Sequence, residues 1–291
     1  MDHTSNETGE MTGFRPGFSQ FAGRYVPVTA LLSTGDSLFT STLGGGVYRF
    51  NDAAPQWTPV NQGITFSGIR CLLQVGGTLY AGTGDGDLPG AGAGIFRSVD
   101  NGASWRQIGN SLGTRQITAL LADASGKVYA ATNEGCFVSA DGGASWNGFN
   151  TGLPTVFGGR TVEIASLMLD NGVLLAGTYG ISVTAGQGVF RYNTATSRWE
   201  SFGNGITNKA VLTLTGNASA LFAGTYGGGV FRSLTRGQSW EARNRGLASA
   251  TVDSLAVKQS ATGALYFAGA YNVGVFRSDN RGQSWTRTHS E

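Results

Sequence analysis

The side chains of this sequence that could do chemistry are a sparse set of carboxylates and a recurring tyrosine. Two carboxyl groups facing across a pocket can hydrolyse a glycosidic bond, one as general acid and the other as base or nucleophile. Asp and Glu together number 18, and several fall in Gly-rich turns or in the N-terminal stretch. Those placed to face a ligand are Asp85, Asp87, Glu134, Glu163 and Asp253, with Glu163 and Asp253 as the candidate catalytic pair. Asp85 and Asp87 are also the candidates for a hard cation, which takes carboxylate and carbonyl oxygens. Without a third acidic ligand, that Asp-x-Asp predicts a solvated loop and no metal. His3 and His289 stand near the two ends and fit neither a Ser/His nor a metal site. No cofactor is implied by any of these residues.

Composition narrows the partners. The net charge is +2 and the only lysines are Lys127, Lys209 and Lys258, so a nucleic-acid partner is not expected. No apolar run reaches membrane-spanning length, so no membrane insertion is expected. The start, MDHTSNETGE, lacks the hydrophobic segment of a signal peptide. The expectation leans to a mature secreted or periplasmic form over a cytoplasmic one. Gly at 47 residues and only 13% charged residues predict many short strands joined by tight turns. Cys71 and Cys136 occupy positions filled elsewhere by small or aliphatic residues, and read as buried hydrophobes.

Those positions belong to a repeat. Trp57, Trp105, Trp146, Trp199, Trp240 and Trp285 recur at the period of a four-stranded propeller blade. Before each stands Gly, an aliphatic residue or Cys, then an aromatic, as in Gly94-Ile95-Phe96-Arg97 and Gly229-Val230-Phe231-Arg232. Earlier come small-residue triplets such as Ala81-Gly82-Thr83, and before those a Val or Ile with Leu three residues on, as in Ile69 and Leu72. Each unit thus predicts four short strands, A to D. A sheet apolar on both faces must stack on neighbours, and a ring buries every face. The predicted fold is all-β, a single six-bladed β-propeller with four antiparallel strands per blade. Blades are placed near 27–63, 68–112, 116–153, 162–206, 210–247 and 251–291, closing without a strand swapped between termini. Residues 1–24 are expected to form a partly disordered tail or strap, carrying Phe14, Phe18 and Phe21.

Two units contain Ser98-x-Asp100-x-Gly102-x-x-Trp105 and Ser139-x-Asp141-x-Gly143-x-x-Trp146. Copies ending at Trp240 and Trp285 carry Thr235 and Asn280 at the Asp position, and the copy from Tyr192 keeps only Trp199. This pattern resembles the Asp-box, or BNR repeat, of sialidase-like propellers, here as a non-catalytic member. The resemblance implies a hairpin between strands C and D, on the face away from the ligand. Asp100, Trp105, Asp141, Trp146, Trp240 and Trp285 are therefore structural: the carboxylate takes turn N–H groups and the indole fills the core. The repeated Arg of strand C (Arg49, Arg97, Arg191, Arg232, Arg277) is expected over a Trp or paired with a turn carboxylate. A sialidase mechanism would need three converging arginines, a Tyr–Glu pair and an acid. Arg70, Arg115 and Arg160 lie at different offsets from the strand motif, and a converging triad is not supported.

The remaining signal lies where the repeats differ. The connection into blade 4 (Thr151 to Arg160) and the B–C loops of blades 2 and 4 are enlarged, and loops on a rigid scaffold carry function. After the strand B triplet stand Tyr179, Tyr226 and Tyr271 in the last three blades, against Leu43, Gly84 and Asn133 in the first three. Flat faces with hydroxyl handles near a channel mouth suit sugars, while rim packing is the alternative role. The expected ligand-binding set is Tyr179, Tyr226, Tyr271, Phe157, Arg160 and Asn133. The reading is a binding propeller for a glycan, with a glycoside hydrolase or a protein-binding scaffold as alternatives.

Overall fold

The computed structural model describes residues 27–35, 37–85, 92–180, 186–260 and 263–288. The N-terminal stretch, Asp87 and both histidines lie outside them. The fold is a six-bladed β-propeller, with four antiparallel strands in each blade and no α-helix among the described residues. Every blade sheet is built from four strands consecutive in the chain, in the order A, B, C, D. The chain packs as two compact units that divide between Gln116 and Ile117, the first with blades 1 and 2 and the second with blades 3 to 6.

Burial on both faces explains the blades. In blade 5, strand A (Val211–Asn217) and strand C (Gly229–Ser233) flank strand B (Ala220–Thr225), which is wholly buried. Strand D there is only Glu241–Ala242, an exposed outer edge too short to template another strand. The first unit is cored by Phe39, Val47, Ile69, Leu79, Phe96 and Trp105. In the second, Trp199 packs with Val162, Ile164 and Phe190, Trp240 with Val211 and Phe231, and Trp285 with Phe222 and Val252. Cys136 is buried and Cys71 half-buried, both as free thiols. Burial raises both thiols, that of Cys71 to about 12, so neither is a ready nucleophile.

Strand A carries a feature with no sequence signature. In all six blades the A–B register skips one residue, a β-bulge at Thr29, Arg70, Thr118, Ala165, Leu212 and Asp253. Two of these tie neighbouring blades: Thr29 Oγ1 donates to the Ile69 carbonyl at 2.5 Å, and Thr118 Oγ1 donates to that of Ile164.

A second repeated device follows strand D. Asn61, Asn150 and Asn244 each accept a 2.7 Å bond from the second residue of their own strand C (Val47, Cys136, Val230). The side-chain carbonyl thereby continues the ladder where strand D has ended. Two residues later, Gly63, Gly152 and Gly246 sit at φ of 89°, 93° and 89°, against the carbonyl of the following blade's Trp.

Some strand C arginines find carboxylates and rings other than those expected. Arg191 and Arg232 pair with Glu200 and Glu241 of strand D, and Arg191 also stacks on Phe202 at 4.7 Å. Arg97 bonds Tyr80, and Arg277 takes a turn carboxylate, Asp279, as expected. The strand D carboxylates lie directly across the ladder from Arg191 and Arg232, and Arg232 also donates to the Arg281 carbonyl of the next blade at 2.7 Å.

Candidate functional site

Antiparallel order places the A–B and C–D turns at one end of each blade and the B–C and D–A connections at the other. The C–D turns that keep the box are structural. Asp100 accepts bonds from the Ser98 and Ser104 hydroxyls and from the Ser104 N–H, while Gly102 N–H donates to Ser98 Oγ at 2.9 Å. Asp141 repeats this set with Ser139, Ser145 and Gly143. These donors hold both carboxyls down at about 2. Where Thr235 and Asn280 replace Asp, their side-chain oxygens still take the N–H four residues on, from Ser239 and Ser284. The turn therefore survives loss of the charge. It demands two successive left-handed residues, such as Asn101 and Gly102 or Arg281 and Gly282.

The opposite end carries the tyrosines. Tyr226 and Tyr271 are 48% and 57% exposed, large aromatic faces open to solvent. Their backbones are fixed identically: Tyr226 N–H donates to the Ala210 carbonyl at 2.9 Å and Tyr271 N–H to that of Thr251 at 3.0 Å. Asn208 steadies the first by donating to the Tyr226 carbonyl at 2.8 Å. Tyr179 is half-buried, its ring edge-on to Tyr226 with centroids 6.3 Å apart. Tyr179 and Tyr226 thus come together, with Tyr179 partly spent on packing and Tyr226 open.

Glu163 opens strand A of blade 4 and stands opposite Tyr179 in the A–B register. Arg160 lies in a small hairpin, Thr155–Val156 paired with Arg160–Thr161, whose turn is Phe157–Gly159. Arg160 Nε reaches Glu134 Oε1 at 2.9 Å, which joins this hairpin to the B–C turn of blade 3 beside Asn133. Arg70 instead donates to Gln116 Oε1 and Arg115 to the Leu112 carbonyl, each at 3.1 Å. The three arginines serve three local tasks.

Asp253 is the bulge residue of blade 6, and burial pushes its carboxyl above the usual range even though the side chain reaches solvent. Strand A of blade 5 packs between the strands that bear Glu163 and Asp253. Asp85 is exposed on the loop after strand B of blade 2, and no group of three metal-ligating side chains converges among the described residues. Asn208, which fixes the Tyr226 loop, went unnoticed in the sequence; an Asn before strand A occurs in no other blade at that offset.

Residues 28–225 match the DUF6242 beta propeller domain, and the chain belongs to that family. No curated protein matches it. Among solved structures it is similar to the extracellular domain of a one-component system from B. thetaiotaomicron, at TM-score 0.67 and 15% identity, covering 86% of this chain and 32% of that one. It is similar also to the GH74 xyloglucanase from Xanthomonas campestris, at TM-score 0.65 and 17% identity, covering 89% and 45%. YCF48 bound to D1 peptide matches at TM-score 0.58 and 15% identity, covering 84% and 75%. At these identities the likeness is one of fold. The chain spans about a third of the length of the B. thetaiotaomicron chain and under half of the xyloglucanase.

Proposed function

We propose that this chain is a non-catalytic Asp-box propeller of the sialidase-like type that binds carbohydrate at the tyrosine end. The observation that carries the reading is the pair of open rings, Tyr226 and Tyr271, held on adjacent blades by the same backbone bond. A sugar presents apolar C–H faces and a rim of hydroxyls; a tyrosine answers the first with its ring and the second with its O–H. Tyr179 buttresses Tyr226, and Asn133 and Arg160 offer polar groups at the blade 3 to 4 side of that end. A glycan array separates the outcomes. Binding by the wild type that the Tyr179→Ala, Tyr226→Ala double variant loses supports the reading; a silent array moves it to a protein ligand.

A glycoside hydrolase is the second reading, favoured by one observation. Burial raises the Asp253 carboxyl above its usual range, the direction in which a general acid is tuned, on a side chain that reaches solvent. Hydrolysis of nitrophenyl glycosides by the wild type but not by Asp253→Asn would replace the binding reading with this one.

A further inference from the structure

The missing box of blade 4 leaves a cavity at the C–D end, away from the tyrosines. In blades 2 and 6 the box glycine closes over an aromatic ring on strand B of the preceding blade: a Cβ on Gly102 would lie 3.0 Å from Phe39, and one on Gly282 2.6 Å from Phe222. The equivalent ring under blade 4 is Tyr129. Blade 4 has Tyr192, Thr194 and Thr196 where the box has Ser, Asp and Gly, and its C and D strands run on as a plain hairpin, Val189–Asn193 with Arg198–Ser201. No box turn from blade 4 closes over Tyr129 as the turns of blades 2 and 6 close over Phe39 and Phe222. The result is a cavity of about 340 Å³ between blades 3 and 4, within the size range of small-molecule sites.

Its walls are apolar and its mouth polar. Tyr129, Phe149 and Tyr192 form a chain of edge-on rings, with centroids 5.9 Å and 5.2 Å apart, and Leu169 and Leu174 face them from the A–B hairpin of blade 4. Asp123 and Lys127 stand at the mouth. The carboxylate is already satisfied, by the Tyr129 hydroxyl at 2.9 Å, the Ser125 hydroxyl, and the N–H groups of Ser125 and Lys127. Among the described residues the Lys127 ammonium makes no ion pair and the Tyr192 hydroxyl no hydrogen bond. Lys127 and Tyr192 therefore offer uncommitted donors at this mouth, beside the uncharged Asn147 and Thr194 side chains and the ionised but hydrogen-bonded Asp123.

We infer that this cavity is a ligand site for a small aromatic carboxylate, its ring between Tyr129, Phe149 and Tyr192 and its carboxylate on Lys127 and Tyr192. Lys127 selects the charge, because an ammonium without a partner gains a charge-assisted bond only from an anion. The ring stack selects a planar apolar body.

The test is a titration of the full chain with hydrocinnamate and with its neutral amide, followed by NMR and by the fluorescence of Trp199, whose ring lies 5.3 Å from that of Tyr192. Saturable binding of hydrocinnamate is expected, weakened about tenfold for the amide and about tenfold by Lys127→Met, the loss of one charge-assisted bond. Thr194→Trp, which fills an exposed position on the cavity wall, should abolish binding without touching the core. Tyr226→Ala, at the other end, should bind as the wild type does. No saturable binding by the wild type would overturn the inference. So would Thr194→Trp binding unchanged, or hydrocinnamate and the amide binding alike.

Discussion

The Trp199 carbonyl stands 2.2 Å from where a Cβ on Gly152 would be, while the Trp199 indole donates to Phe149 at 2.7 Å. One tryptophan thus clasps the segment leaving the previous blade from two sides, and only glycine fits the gap. Trp240 does the same to Gly205 and Phe202, Trp285 to Gly246 and Arg243, and Trp105 to Gly63 and Val60. Four blades share this contact, whereas the Trp146 indole donates to Gly143 of its own box.

Gly152→Ala and Gly172→Ala separate close approach from backbone strain. Both glycines have left-handed φ, 93° and 79°, but Gly172 has open space around its Cβ position. Urea unfolding should show a loss of about 1 kcal/mol for Gly172→Ala, from φ alone. Gly152→Ala should cost about 3 kcal/mol or more, because backbone must also shift.

Asp100 and Asp141 give acid sensitivity of a defined sign. Their folded values, about 2, lie below the ordinary 3.8, so the stability they contribute is complete above about pH 4 and is lost as pH falls towards 2. Asp141→Asn keeps the acceptor that Asn280 provides in blade 6. The variant should unfold in urea with a flatter dependence on pH over that window than the wild type.

Asp253 should behave oppositely. Its raised carboxyl means that ionisation costs stability above its folded value and the cost vanishes in acid. Asp253→Asn should therefore raise the melting temperature at pH 7 and leave it unchanged near pH 3, read by calorimetry.

Thr235→Asp restores the missing carboxylate in blade 5. Thr235 Oγ1 already takes the Ser239 N–H at 2.9 Å and meets the Ser239 hydroxyl. A carboxylate there makes those bonds charge-assisted, as at Asp141, so thermal unfolding should move to higher temperature at pH 7 and not at pH 2.

Blade number and strand positions were legible because Trp199 and its counterparts recur with the buried triplets, and burial repeats whatever a blade does. The Asn61, Asn150 and Asn244 acceptors recur in three blades of six, each 14 residues after its partner, a half-kept signal beside the six tryptophans. The strand A bulge could not be read: Thr29, Arg70, Leu212 and Asp253 share a backbone shape and no side-chain type. Tyrosines 179, 226 and 271 were legible as a series, but the edge-on packing of Tyr179 on Tyr226 depends on the rotation between blades, which no single repeat encodes. The cavity under blade 4 was present in the sequence only as a decayed motif, Tyr192 to Trp199, whose consequence is spatial.

The most direct test of carbohydrate binding is calorimetric titration of the strongest array glycan into wild type and Tyr226→Ala. A Tyr ring stacked on a sugar should cost about tenfold or more in Kd when removed, consistent with about 1.5 kcal/mol for an aromatic contact. Equal affinity in the two proteins would contradict the account and place the glycan elsewhere on the propeller.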